Sequence, residues 1–200
     1  MSQTNLLANL LNRRAVVSTM LRDRKGIVAI GGLGASTNDM AAAGDHDRNL
    51  YLWGAMGGAV MMGLGLALAQ PDVPVVVITG DGEMLMGIGS LATVGMQKPG
   101  NLSIVVLDNE RYGETGGQKS HTSGRTDLSI IATGCGIADV RTITTMAEVE
   151  TLAERINRIG DGPVFATVKI GNNELPRILP QRDATFLKNR VRIALGNDVI

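Results

Sequence analysis

Asp81 and Asn109 are the residues whose types and spacing point first to chemistry. Asp81 stands between glycines in Gly80-Asp81-Gly82-Glu83, directly after the apolar run Val75-Val76-Val77-Ile78-Thr79. Asn109 follows a second apolar run, Leu102 to Leu107, in Asp108-Asn109-Glu110, and a glycine-rich loop, Tyr112-Gly113-Glu114-Thr115-Gly116-Gly117, comes next. Between the runs, Met84 to Gln97 has helical character. Two buried parallel strands joined by a helix have this pattern. Such strands end together at one rim of the sheet, where ligands of α/β folds bind. Asp81 and Asn109, 28 positions apart in sequence, are therefore expected side by side. A carboxylate, an amide oxygen and nearby loop carbonyls make an oxygen-only site. It suits Mg²⁺, which keeps some water and takes other ligands from substrate phosphates. The glycines flanking Asp81 let a diphosphate approach the backbone, and a helix N-terminus just after it favours an anion. Two unrelated turns would explain each end but not the pair.

The rest of the chain supplies the elements that hold this pair. Asn5 to Leu21 reads as an amphipathic helix, with Leu6, Leu7, Leu10, Leu11, Val17, Met20 and Leu21 at helical spacing and Arg13 and Arg14 inside the pattern. Gly26 to Ile30 is the first strand, followed by Gly31-Gly32-Leu33-Gly34. A dinucleotide fingerprint is not completed there, because Thr37 stands where the third glycine belongs. Thr37 to Asn49 reads as a loop with a short helical turn. Its Asp45-His46-Asp47 reads as solvated, since no further His or Cys completes a metal set. Leu50 to Ala69 is twenty residues without a charge and contains Gly54 and Gly58 in a Gly-x-x-x-Gly. A membrane span would look similar. Pro71-Asp72-Val73-Pro74 ends it, no basic cluster flanks it, and it feeds straight into the strand before Asp81, so a buried helix beside the site is the reading.

After Gly117 comes a polar loop with Lys119, His121 and Arg125. Asp127 caps a helix through Ala132, Ala138 to Ile143 is a strand, Thr145 to Ile159 is a helix, and Gly162-Pro163 turns into the strand Val164 to Ile170. The fold class is α/β: a single three-layer domain, residues 1–170, with a mainly parallel sheet and helices on both faces. Residues 171–200, polar with Pro176 and Pro180, form a C-terminal arm or subunit contact.

Composition narrows the partners. Nineteen basic residues balance nineteen acidic ones. With aromatics at only 2%, neither nucleic acid nor an anionic membrane is an expected partner. Glycine at 26 and methionine at 10 give small, adaptable side chains. Cys135 is the only cysteine, so no disulfide forms within the chain and a cytoplasmic location is expected.

Gly80-Asp81-Gly82, followed at this spacing by Asp108-Asn109, resembles the thiamine diphosphate motif. The resemblance implies a thiamine diphosphate-binding fold in which Asp81, Asn109 and the backbone carbonyl of Arg111 hold Mg²⁺ on the diphosphate. Gly80, Gly82, Glu83, Tyr112 and Gly113 are implied as further cofactor contacts. Asp108 stands where the family usually has a first Asn. Gly54-Ala55-Met56-Gly57 looks like the element that meets the aminopyrimidine ring, with the Gly54 carbonyl accepting from its amino group and Met56 wedged between the rings. Within the family, Asp108-Asn109 through Gln118 is most similar to the sulfopyruvate and phosphonopyruvate decarboxylases. That implies a lyase acting on a small 2-oxo acid, assembled as a heterotetramer or larger from this chain and a separate pyrimidine-binding α-type subunit. A thiamine diphosphate-dependent carboligase or oxidoreductase subunit is the alternative enzyme; a membrane or interaction module is the non-enzymatic one. Ser36-Thr37-Asn38 stands where those decarboxylases show Ser-Arg-Glu, so an arginine is missing near the expected substrate. The loop from Glu114 to Arg125 is expected to close over the cofactor and bring Lys119, His121 or Arg125 to the substrate anion, with His121 as the candidate proton donor.

Overall fold

Six short strands, largely buried except for the edge strand Asp139–Ile143, form one parallel sheet in a computed structural model that describes residues 10–199. They are β1 (Val28–Gly31), β2 (Asn49–Tyr51), β3 (Val75–Gly80), β4 (Leu102–Asp108), β7 (Asp139–Ile143) and β8 (Val164–Lys169), in the spatial order β2-β1-β3-β4-β8-β7. A two-stranded antiparallel ribbon, β5 (Arg111–Tyr112) with β6 (Gln118–Lys119), stands apart from it. The runs of Val and Ile in β3 and β4 are buried on both faces, as a parallel sheet covered on both sides requires.

Helices cover the two faces. On one side α1 (Arg13–Arg22), α2 (Ala35–Ala42), α7 (Met146–Ile156) and α8 (Ala184–Ala194) enclose a core containing Val17, Met40, Ile78, Val105, Leu152 and Leu187. On the other, α3 (Ala59–Ala69), α5 (Ser90–Gln97) and α6 (Leu128–Gly134) enclose Leu64, Val77, Leu91, Ile104 and Phe165. The short α4 (Asp81–Met86) leaves the end of β3. The three-layer α/β class read from the sequence is the observed one. Asp127 caps α6 by accepting from the amides of Ser129 and Ile130, and Thr145 with Glu148 forms a capping box on α7.

Four local readings change. Among the described residues the first helix starts at Arg13, so the expected helix is interrupted at Leu10 to Asn12; residues 5–9 lie outside the described residues, Leu11 makes a parallel bridge to Ile170, and Asn12 caps the helix. In Thr37 to Asn49 the short helical turn is the longer α2, which covers Thr37 to Ala42 before residues 43–48 continue as loop; Asp39, buried against Arg13 and Arg14, ties the polar helix to α1. The uncharged stretch Leu50 to Ala69 is no single helix. Leu50 and Tyr51 lie in β2, residues 52–58 form a loop, and only α3 is helical. Positive φ at Ala55 (52°) and Gly57 (89°) breaks the helix there. Met84 to Gln97 likewise divides into α4 and α5, where Gly87 passes against Gly57; a Cβ on Gly87 would fall 2.1 Å from the Gly57 carbonyl oxygen. No helix among the described residues is long and apolar enough to cross a membrane.

The tail carries α8. Asp183 caps it, Leu187 and Val191 bury on the β2 side of the sheet, and Arg190 pairs with Asp45 at 2.6 Å. Asp45 also accepts from the Tyr51 hydroxyl at 2.9 Å, so the Asp45-His46-Asp47 loop anchors the tail.

Candidate functional site

The strand order reverses between β1 and β3: the chain passes outward from β1 to β2, then returns to β3 on the other side. In open parallel sheets the crevice at the carboxyl ends beside such a reversal is where ligands bind. A cavity of about 750 Å³ opens there. It is lined by Leu33, Ala35, Ser36 and Asn38 after β1, by Gly80 to Glu83 after β3, by Asn109 and Arg111 to Gly117 after β4, and by residues 170–177 after β8. Its size is that of a cofactor or drug-sized ligand site.

The register of the sheet brings the predicted pair together. Gly80 pairs with Leu107, so Asp81 and Asp108 leave adjacent strands at one level and Asn109 follows at the rim. Asp81, Asn109 and Arg111 all line the cavity, as do Met56, Gly80, Gly82, Glu83, Tyr112 and Gly113. Gly54 lies on the Met56 loop but outside the lining. Glu110 adopts a left-handed φ of 62°, which turns the chain sharply between Asn109 and Arg111. Non-glycine residues pay for that conformation, and such strain gathers at binding sites.

Gly80 and Gly82 are small for different reasons. A Cβ on Gly82 would meet the Tyr112 ring at 2.6 Å, so protein packing requires that glycine. A Cβ on Gly80 would meet nothing within 4 Å, and φ −99° suits any residue. The room that Gly80 leaves is room in the cavity.

The electrostatics of the rim are unbalanced. Asp81 is buried, and its Oδ2 accepts from the Ser120 hydroxyl and, at 3.2 Å, from that of Thr122. Burial pushes the Asp81 carboxyl above its usual range; the Ser120 hydroxyl works against this, and the nearby Asp108 charge works with it. Asp108 is itself buried, and Lys169 approaches it at 2.7 Å. Burial acts to lower the Lys169 ammonium, yet its contacts with Asp108 and Glu110 prevail and hold it above the usual lysine value. No arginine, lysine or histidine pairs with Asp81 among the described residues. A buried carboxylate without a counter-ion, next to a second carboxylate, is a donor set that a divalent cation completes.

Glu83 turns away from this cluster. Its Oε2 accepts from Thr79 Oγ1 at 2.7 Å and its Oε1 has no hydrogen-bond partner. Burial raises its carboxyl, against the Thr79 hydroxyl and the backbone amides of Gly57, Leu33 and Ala59. A Cβ on Gly32 would overlap the Glu83 carboxylate, so the Glu83 side chain is braced against Gly32 and Thr79 at the ends of β1 and β3, where the residue lines the cavity. Asn38 also carries an unpartnered buried oxygen at the cavity wall, while its amide nitrogen donates to the Gly34 carbonyl at 3.0 Å.

The basic loop is placed differently from the sequence expectation. Glu114 to Gly117 line the cavity, but Lys119, His121 and Arg125 do not. His121 is exposed, with Nδ1 3.0 Å from the Tyr112 hydroxyl, so Tyr112 stands between it and the cavity. The arginines that do line the cavity are Arg13, Arg111 and Arg177. Arg13 is held by Asp39 and Arg111 by the Gly117 carbonyl, whereas Arg177 makes no ion pair or hydrogen bond among the described residues. Sequence reasoning missed Arg13, Arg177, Ser120, Thr122 and Lys169. Only the polar-residue spacing in Ser120-His121-Thr122 carried any signal, because the others arrive from distant segments.

The comparisons with known proteins agree with this geometry. Residues 31–169 match the thiamine pyrophosphate enzyme family's C-terminal TPP binding domain. The chain is 43% identical over 123 residues to the sulfopyruvate decarboxylase subunit beta of Methanocaldococcus jannaschii, covering 62% of this chain and 64% of that one. It is 39% identical over 181 residues to phosphonopyruvate decarboxylase of Streptomyces viridochromogenes, covering 88% of this chain and 41% of that one. The chain thus spans less than two thirds of the length of each. In fold it is similar to benzoylformate decarboxylase from Polynucleobacter necessarius, with a TM-score of 0.68 and 22% identity over 84% of this chain and 34% of that one. With the family domain running from the end of β1 through β8, across every strand that bounds the cavity, the chain belongs to the thiamine pyrophosphate enzymes and carries their C-terminal cofactor-binding domain.

Proposed function

We propose that this chain is the diphosphate-binding subunit of a thiamine diphosphate-dependent 2-oxo acid decarboxylase, a carboxy-lyase. Its substrate class is that of sulfopyruvate and phosphonopyruvate, small 2-oxo acids with a second anionic group. The observation that carries the reading is Asp81: a buried carboxylate without a protein counter-ion, sharing a rim with Asn109 on a cofactor-sized cavity. Two relatives named as decarboxylases of such acids support the substrate class.

Asp81, the Asn109 side chain and the Arg111 carbonyl would hold Mg²⁺ against the diphosphate. Gly80, Gly82, Tyr112 and Gly113 would shape the space around it, and Gly54 and Met56 would meet the pyrimidine and the ring junction. Glu83, which lines the cavity with its side chain braced on Thr79, would stand against the cofactor. When bound, thiamine diphosphate supplies the nucleophile and the electron sink for decarboxylation.

This chain's residues bind, orient and exclude water. The loop from Glu114 to Gly117 walls the cavity from solvent. Tyr112, backed by His121, would relay a proton between solvent and the cavity. Arg177 reads the second anion of the substrate, in place of the arginine absent at Ser36-Thr37-Asn38.

The domain comprises residues 1–170, and of the arm 171–200 the segment 171–177 returns over the cavity while α8 packs back on the domain core. A separate pyrimidine-binding α-type subunit completes the site in a heterotetramer or larger assembly in the cytoplasm. The solvent face of α3 suits that contact: Met61, Met62 and Leu68 are exposed and Gly65 leaves open space. The test is to co-express the chain with its genetic neighbour and assay CO₂ release from a panel of 2-oxo acids, with thiamine diphosphate and Mg²⁺. Release from the sulfonate or phosphonate acids supports the reading; a complex that binds the cofactor but decarboxylates no panel member refutes it.

A further inference from the structure

Four oxygens meet where β3 and β4 end. Ser120 Oγ donates to Asp81 Oδ2. Thr122 Oγ1 lies 2.7 Å from Asp108 Oδ1, 3.2 Å from Asp81 Oδ2 and 2.9 Å from Ser120 Oγ. All four residues are at least nine-tenths buried: Asp81 1%, Asp108 2%, Ser120 3% and Thr122 7% exposed. Buried polar atoms at this density must be matched donor to acceptor.

Counting hydrogens decides what holds the cluster. Two hydroxyls supply one hydrogen each, and ionised carboxylates only accept. The closest contacts use both hydrogens, Ser120 toward Asp81 and Thr122 toward Asp108. Thr122 shares its hydrogen between Asp108 Oδ1 and, more weakly, Asp81 Oδ2, and the Ser120–Thr122 contact is then left without a hydrogen. Lys169 balances Asp108, and among the described residues no cation balances Asp81. The cluster is one positive charge short, on the Asp81 side.

The backbone holds the hydroxyls in place independently. The Ser120 amide donates to the Glu110 carbonyl at 2.9 Å, beside the left-handed turn that presents Asn109. The Ser123 hydroxyl donates to the Ser120 carbonyl at 2.7 Å and closes the turn His121–Ser123. Ser120 and Thr122 are therefore fixed by their own segment and act on Asp81 from outside. Both approach the same oxygen, Oδ2; among the described residues no side chain donates to Oδ1.

We infer that Ser120 and Thr122 are positioning residues for a divalent-cation site at Asp81. They pin the carboxylate by Oδ2 and leave Oδ1 to the metal, an inference that rests on the cofactor reading above. Outer hydrogen-bond partners of metal ligands commonly alter metal affinity by about 10–100-fold. The same contacts tether the segment bearing His121 to the metal carboxylate.

The test uses the full chain, with Mn²⁺ binding followed by electron paramagnetic resonance in the presence of thiamine diphosphate. Thr122→Val keeps shape and removes the hydroxyl, Thr122→Ser keeps the hydroxyl, and Ser120→Ala is an independent second variant. Circular dichroism and thermal unfolding establish which variants are folded. The expected result is a loss of Mn²⁺ affinity of about 10–100-fold in Thr122→Val and Ser120→Ala, with wild-type affinity in Thr122→Ser. Wild-type affinity in either folded hydroxyl-deleted variant overturns the inference and leaves the cofactor reading standing. Loss in Thr122→Ser equal to that in Thr122→Val also overturns it, since packing would then be the cause. A wild-type chain that binds no Mn²⁺ with thiamine diphosphate overturns both.

Discussion

Lys169 Nζ sits 2.7 Å from Asp108 Oδ2, and among the described residues no cation takes the corresponding place beside Asp81. Two carboxylates that leave neighbouring strands at one level thus receive unequal treatment. Asp108 is neutralised within the fold, and Asp81 is left for a ligand.

Asp81→Ala should abolish Mg²⁺-dependent thiamine diphosphate binding and leave the fold intact. The substitution removes a buried charge that burial and Asp108 both disfavour, so thermal unfolding should show no loss of stability. Isothermal calorimetry checks the first part; cofactor retained at wild-type affinity would remove Asp81 from the metal site.

Lys169→Met should destabilise the fold by about 2 kcal/mol at neutral pH, because it strands the Asp108 charge, with a discount for the partial exposure of Lys169. The folded ammonium titrates above the unfolded lysine value of 10.5. Its contribution is therefore complete below 10.5 and is lost as pH rises through the folded value. Urea unfolding of both proteins from neutral to strongly alkaline pH should show the gap closing only at the alkaline end. A gap that does not change with pH would contradict the charge assignment.

Arg177→Ala should raise KM for 2-oxo acids with a second anionic group by about tenfold or more, the scale of one charge-assisted contact. It should leave kcat, and the KM for an uncharged-tail 2-oxo acid, near wild type. Steady-state kinetics on the paired substrates decide it; equal effects on both would place Arg177 outside the substrate site.

His121→Ala should lower kcat well beyond tenfold, in the range that positioned proton transfer contributes. Tyr112→Phe should do the same, because the Tyr112 hydroxyl lies between His121 and the cavity. Normal turnover in either variant assigns the proton to another donor.

The chain purified free of any other polypeptide should not turn over 2-oxo acids. Activation of the cofactor requires a carboxylate against the aminopyrimidine. Glu83 is braced on Thr79 beside Asp81, and Glu114 lies in the glycine-rich loop at the same rim of the cavity. Turnover by the isolated chain with thiamine diphosphate and Mg²⁺ would defeat the split-site reading.

Much of this molecule is legible in its sequence, for a physical reason that particular residues show. Val75 to Gly80 and Leu102 to Asp108 are short β-rich runs bounded by turn residues, and local pattern is enough to make them neighbouring strands. Asp81 and Asn109 follow from those strands because a parallel sheet places both carboxyl ends on one rim. Local pattern failed where distant partners decide conformation. The polar α2 is helical because Asp39 is buried between Arg13 and Arg14. The apolar stretch from Leu50 splits because Leu50 and Tyr51 pair with β1 and the loop at Gly57 must pass Gly87. The sequence by itself determined five of the six sheet strands, the placing of Asp81 and Asn109 at one rim, and the family. The tertiary structure alone decided that Lys169 neutralises Asp108, that Ser120 and Thr122 grip Asp81, and that Arg177 reaches the cavity while His121 stays outside. Each of these depends on through-space electrostatics or packing between segments far apart in the chain, and neither periodicity nor spacing encodes them.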